Sequence, residues 1–302
     1  MNFSFYYKSL SIGFKWLPWL IIPIANSCMP KPLDLDVQPA SAKLVISSQV
    51  ISNNIIGVSV SRSFSALEGS GTPSEDKIKN LLVENAEVII SNGESKYVLQ
   101  AAAGVPGFYF SSTIPLTEGH VYNLSVKDHA TQQGVQAQST LLPRVEMDSV
   151  YFSTQRLFDD TLVSVHLSFE DPQGVENWYV LSFSGLNRDT SKTPRDVSPS
   201  LLNLNSQSKR GYILLSDKSF GGTTYSGKHL LPAISLGDTV GFLFSNITEG
   251  YYKFLSANSS ASGNTLGSVL NEPFNYPTNV QGGYGYFSTY RSNIFIEVIA
   301  AK

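Results

Sequence analysis

Apolar residues recurring at every second position, in runs too short for helices, constrain this chain more than any other feature. Val163, Val165, Leu167 and Phe169 fall on one side of a run, with Ser164, His166 and Ser168 on the other. Tyr122, Leu124 and Val126 alternate in the same way with Asn123, Ser125 and Lys127. Ile56, Val58 and Val60 alternate with Gly57, Ser59 and Ser61. Period two is the signature of a strand with one face buried and one wet. Turn residues separate the runs. Asn92-Gly93 stands between Ala86–Ser91 and Tyr97–Gln100 as a hairpin signal. Asp171-Pro172-Gln173-Gly174 precedes the aromatic-rich strand Trp178–Phe183. Lys43–Val50, Phe108–Phe110 and the stretch from Val135 to Leu142 complete six or seven runs in about 100 residues, the spacing of an antiparallel sandwich.

The chain therefore reads as all-β and mostly antiparallel, with one sandwich over 43–143 and a second β-domain over 144–302. Ser65–Asn80 reads as a polar loop, and Ser184–Lys209 as a long one of the kind often tied to function. Val240–Phe244 and Ile294, Ile296 and Val298 read as strands. One short helix is expected at Tyr251, Tyr252, Phe254 and Leu255, with Thr248 as its N-cap.

The N-terminus carries a different pattern. Lys8 and Lys15 precede the apolar run Trp16–Ile24, and Ala25-Asn26-Ser27 lead into Cys28, the only cysteine of the chain. A basic start, a short apolar core and small residues before a cleavage point make a secretory signal. The run is too short for a membrane span and is interrupted by Pro18 and Pro23. A single thiol placed there predicts a signal peptide over 1–27 and a lipid on Cys28. The plainer alternative is a secreted protein with a spare cysteine. Residues 28–42, with Pro30, Pro32 and Pro39, then form a proline-rich tether. Two of the 21 basic residues leave with the leader, so 19 face 24 acidic ones in the mature body. That balance argues against a nucleic-acid partner.

Several segments resemble one family. These are Cys28-Met29-Pro30 with Leu33-Asp34-Leu35-Asp36, Val60-Ser61-Arg62-Ser63-Phe64-Ser65, and Glu84-Asn85-Ala86-Glu87-Val88-Ile89-Ile90. Gly119-His120-Val121-Tyr122-Asn123-Leu124, Glu272-Pro273 and Gly282-Gly283-Tyr284-Gly285-Tyr286-Phe287 continue the series in order. Together they are similar to the domain of unknown function 4249 family of Bacteroidetes outer-membrane lipoproteins. The resemblance implies an immunoglobulin- or transthyretin-like module followed by a second β-domain. It also implies an outer-membrane location and a β-barrel TonB-dependent transporter as neighbour. It carries no catalytic residues. Asp34 and Asp36 are the acidic residues near Cys28, which leaves the cell-surface and periplasmic faces both open.

Chemistry is sparse. His120, His129, His166 and His229 neither pair at metal-ligand spacing nor accompany a Gly-x-Ser-x-Gly elbow. Asp159-Asp160, Glu170-Asp171 and Asp196 are candidates for calcium but read more simply as turn formers. Gly282-Gly283-Tyr284-Gly285-Tyr286 lacks the Lys-Ser/Thr of a phosphate loop. The expectation is thus no catalytic site, no metal and no cofactor beyond the lipid. What remains is aromatic: Tyr251, Tyr252, Tyr284, Tyr286 and Tyr290 are candidate contacts to a glycan, another nutrient or a protein partner, set against plain core packing. Three functions are compatible with these features: a non-enzymatic ligand-handling subunit of an uptake system, a surface adhesion or structural module, and a polymer hydrolase, for which nothing nominates a carboxylate pair and Glu170 and Asp171 are the first residues to mutate.

Overall fold

The alternation at Tyr122, Leu124 and Val126 becomes strand β7 (Val121–Asp128), whose residues are exposed and buried in strict turn. A computed structural model describes residues 41–52, 55–64, 75–157, 160–186, 210–231, 234–263 and 276–300. Residues Ser41–Lys302 form one compact unit; residues 1–40, which hold Cys28, the expected leader and most of the expected tether, lie outside the described residues. Asp196, Asp159 and most of the expected Ser184–Lys209 loop also lie outside them.

Two sheets enclose the first core. One orders β15 (Tyr284–Tyr286), β1 (Leu44–Ser52), β2 (Ile55–Arg62), β6 (Phe108–Ser111) and β5 (Gln100–Ala101). The other orders β4 (Lys96–Val98), β3 (Ala86–Ser91), β7 and β8 (Gly134–Thr140). Leu44, Ile46, Ile56, Val88, Ile90, Tyr122 and Leu124 fill the space between them. The stretch Tyr97–Gln100, expected as one strand, divides. Its first part pairs with β3 and its last part with β6, and the chain changes sheets at buried Leu99. The Asn92-Gly93 turn spans four residues, with Asn92 Oδ1 accepting from the Glu94 and Ser95 amides and only Gly93 at positive φ.

Tyr122, at the start of β7, donates its hydroxyl to Pro115 O and accepts from Thr117 N, both at 2.7 Å. This ties a strand start to the corner before it, the arrangement called a tyrosine corner in immunoglobulin-like sandwiches. At one end Arg62 of the first sheet meets Asp128 of the second, with Nη2 2.5 Å from Oδ2. Burial opposes the charge on Asp128, but the Arg62 guanidinium, the Thr131 hydroxyl and the Ala130 amide outweigh it and hold the carboxyl below its usual range.

The second core lies between a sheet of β13 (Thr224–Leu230), β10 (Asp160–Glu170) and β9 (Ser149–Leu157) and one of β12 (Arg210–Ser216), β11 (Trp178–Leu186), β14 (Thr239–Ile247) and β16 (Ser292–Val298). Val163, Val165, Leu167 and Phe169 are all buried, as their spacing requires. Phe169 packs on Tyr179 and Phe244 with ring centroids 4.7 and 4.6 Å apart. Tyr179 donates its hydroxyl to buried Asp171, whose other oxygen accepts from Gly222 N at 2.8 Å.

Helix α2 (Glu249–Gly263) begins as expected: Thr248 Oγ1 accepts from Tyr251 N at 3.4 Å. It runs well past Leu255, since a nucleated helix gains one hydrogen bond for each added residue. A second helix, α1 (Glu75–Leu81), occupies the end of the segment read as a polar loop. Asp76 near its start and Lys79 in its last turn suit the helix dipole, although no apolar period announced it.

The larger departure from simple chain order is β15. Residues 276–291 lie late in the sequence, yet β15 pairs in parallel with β1 at Val45↔Tyr284, Ile46↔Gly285 and Ser47↔Tyr286. Val280 and Phe287 enter the first core. Gly285 makes the approach possible. Its φ is +93°, and a Cβ there would stand 1.9 Å from Ile46 O.

Candidate polar groove

Among the side chains that β7 and β8 turn away from the first core, Asn123, Ser125, Gln136 and Gln138 are amides or a hydroxyl, and they line up across the sheet. One row runs Lys96, Ser91, Asn123, Gln138 through successive strands. The next runs Val98, Ile89, Ser125, Gln136 and ends on Gln281, which adds a two-bond bridge beyond β8. Gln281 N donates to Gln136 O at 2.7 Å and Gln136 N returns a bond of 3.3 Å to Gln281 O. At about 4.8 Å per strand, such a row spans about 20 Å.

The rows form the bed of a cavity of about 570 Å³ lined by Ser91, Lys96, Asn123, Gln136, Gln138, Asn279 and Gln281, among others. A second, of about 520 Å³, continues it past Ser125, Gln136 and Gln281 to Lys127 and Gln132. The wall is fixed by Asn279. Its Nδ2 donates to Gln138 O at 2.8 Å and Phe287 O at 2.7 Å, and its Oδ1 accepts from Phe287 N at 2.9 Å. Gln138 Nε2 donates to Asn123 Oδ1 at 3.2 Å, so the bed is partly organised without a ligand. Lys96 and Lys127 are the charged groups among the lining residues, and no carboxylate is. Each amide both donates and accepts, and so does each hydroxyl. The surface therefore presents several uncharged donors and acceptors beside the apolar side chains of Ile89, Leu124 and Ala137.

Of the five tyrosines weighed between ligand contact and core packing, four pack in or against the interior. Tyr251 and Tyr286 are buried with Val180 and Ile247 in a small third cluster beneath α2, and Tyr252 and Tyr290 pack against it. The rings of Tyr251 and Tyr286 are 5.4 Å apart, those of Tyr251 and Tyr290 5.9 Å. Burial pushes the Tyr251 and Tyr290 hydroxyls above the usual phenol range. Tyr284 alone of the five is largely exposed, at 48%, with Lys43 Nζ 5.3 Å from its ring centre. Tyr284 and Tyr286 are two apart and would share a face in a regular strand. The positive φ of Gly285 between them breaks that alternation and separates their environments.

Of the groups considered for chemistry, His166 accepts or donates one bond of 2.8 Å with Ser153 Oγ. No carboxylate is bonded to its ring among the described residues. Glu170 is exposed, whereas its neighbour Asp171 is sealed in and committed to Tyr179 and Gly222. Among the described residues no three His, Cys, Asp or Glu side chains group closely enough to hold a metal. No described helix is long and apolar enough to cross a membrane.

Half of the groove was visible in the sequence, as the polar side of the β7 alternation. The contribution of Asn279 and Gln281, some 140 residues distant from β8, had no local signal. Among known proteins, the family described as Domain of unknown function (DUF4249) matches residues 30–293. No curated protein matches. Among solved structures, the crystal structure of chicken CNTN1 FN1-FN3 domains aligns over 88% of this chain and 68% of its own, at 12% identity and a TM-score of 0.25.

Proposed function

The chain belongs to the domain of unknown function 4249 family, and from that premise we propose that it is a non-enzymatic, lipid-anchored ligand-handling protein of the outer membrane. Cys28 carries the lipid, and residues 28–42 hold the body off the bilayer. With two or more acyl chains, at about 0.8 kcal/mol per buried CH₂, the attachment is effectively permanent. The protein serves a TonB-dependent uptake system of a Bacteroidetes cell as an accessory subunit beside the β-barrel transporter. It holds a glycan or similarly polar nutrient for delivery.

The observation that supports ligand handling is the open amide-lined groove on the sheet of β4, β3, β7 and β8, with its walls fixed by Asn279 and its donors and acceptors in excess of what the fold uses. A polar neutral ligand exchanges its water for these groups at little net cost. The test is purification of the lipidated protein from native outer membrane in mild detergent, with mass spectrometry of what accompanies it. A stoichiometric β-barrel transporter supports the uptake role. A protein that emerges alone counts against it.

A further inference from the structure

The outer face of the three-stranded sheet β13-β10-β9 carries an arrangement that the uptake reading does not use. In register across the strands stand Ser149, Ser168 and Ser226, one hydroxyl from each strand. The next row on the same face is Tyr151, His166 and Lys228. The Tyr151 and His166 rings stack with centroids 4.5 Å apart and planes 6° from parallel. A 2.8 Å bond to Ser153 Oγ, two residues further along the same strand as Tyr151, holds the imidazole in place. These six residues line a depression of about 190 Å³. Tyr151 is 50% exposed on the edge strand, and Lys228 pairs with no carboxylate among the described residues.

We propose that this depression is a second ligand site, for a single polyhydroxylated ring such as one sugar unit. A flat, rigid aromatic pair offers contact to the C–H face of a ring at low entropic cost. Three serine hydroxyls, each able to donate and accept, answer ring hydroxyls, and the ammonium adds a further donor. Glu170, exposed one register step beyond Ser168 on the same face, keeps the surface from being purely cationic and so favours a neutral ligand over an anion. The size admits one unit, in contrast to the long groove.

The test uses the full-length lipidated protein in a zwitterionic detergent, whose head group carries no sugar. The methyl glycosides of glucose, galactose, mannose and N-acetylglucosamine are titrated by saturation-transfer NMR. At least one binds, Tyr151→Ala weakens it about ten-fold or more, and Tyr151→Phe keeps it within about two-fold. Binding of none of the four overturns the proposal. So does binding that survives Tyr151→Ala unchanged. A sugar lost with Gln138→Ala but kept by Tyr151→Ala sits in the groove, which supports the proposed ligand handling and overturns this second site. A sugar lost with Tyr151→Ala and kept by Gln138→Ala supports the second site, whatever accompanies the protein from the membrane.

Discussion

Replacing Asp128 by asparagine removes the negative charge that joins the two sheets of the first sandwich. The Asp128 side chain is fully buried, and the Arg62 side chain is 25% exposed. One carboxylate oxygen accepts from Arg62 Nε at 3.2 Å, Arg62 Nη2 at 2.5 Å and Thr131 Oγ1 at 2.8 Å. The other accepts from Ala130 N at 2.9 Å. Removing one partner of a buried ion pair costs about 3–5 kcal/mol, because the remaining charge is left unpaired. Arg62 can regain some water and asparagine keeps one acceptor, so about 3 kcal/mol is expected for Asp128→Asn and somewhat more for Asp128→Ala. Urea unfolding followed by circular dichroism measures the difference. The pH dependence supplies an independent check. The Asp128 carboxyl titrates below its ordinary value, so the unfolded chain takes up this proton first. Its contribution is complete above about pH 5 and is lost as pH falls below the unfolded value of about 3.9. The asparagine variant therefore declines less steeply than the parent in that acid window. A neutral-pH difference under about 0.5 kcal/mol, or identical acid slopes, would refute the reasoning.

Three further outcomes are expected. Gly285→Ala forces a left-handed φ on alanine and a Cβ into Ile46 O, so it destabilises by about 3 kcal/mol or more and a melting temperature matching the parent's would contradict the pairing. Tyr122→Phe loses the bond to Pro115 O and leaves Thr117 N without its acceptor, which lowers stability by about 1–2 kcal/mol in the same urea assay. Cys28→Ala moves the protein from the membrane to the soluble fraction on cell fractionation, and a variant still held by membranes would end the anchoring proposal.

What was legible in the sequence is what short-range chemistry controls. The alternation from Val163 to Phe169 needed only the geometry of a single strand to assign Phe169 to a core, and Thr248 needed only its own hydroxyl to start α2. Glu75–Leu81 escaped because it is a helix of seven residues whose neighbours, not an apolar stripe, decide its state. The tyrosine-rich end was legible as aromatic and as a candidate for core packing, but not which of its rings would be covered or by what. Burial of Tyr251 and Tyr286 depends on α2 covering the outer face of β11, which no local pattern encodes.

The groove divides along the same line. Period two told which side chains of β7 share the wet face, and that much the sequence determined by itself. Which strand stands beside which was decided only by the tertiary structure. The return of residues 276–291 to β1 and β8 joins positions about 140 and 240 apart, through backbone pairing that any sequence can make, side-chain bonds of Asn279 and Ser48, and a glycine that alone permits the approach. A strand's own residues choose its faces; the competition among all available edges chooses its neighbours, and that competition is settled by the whole chain.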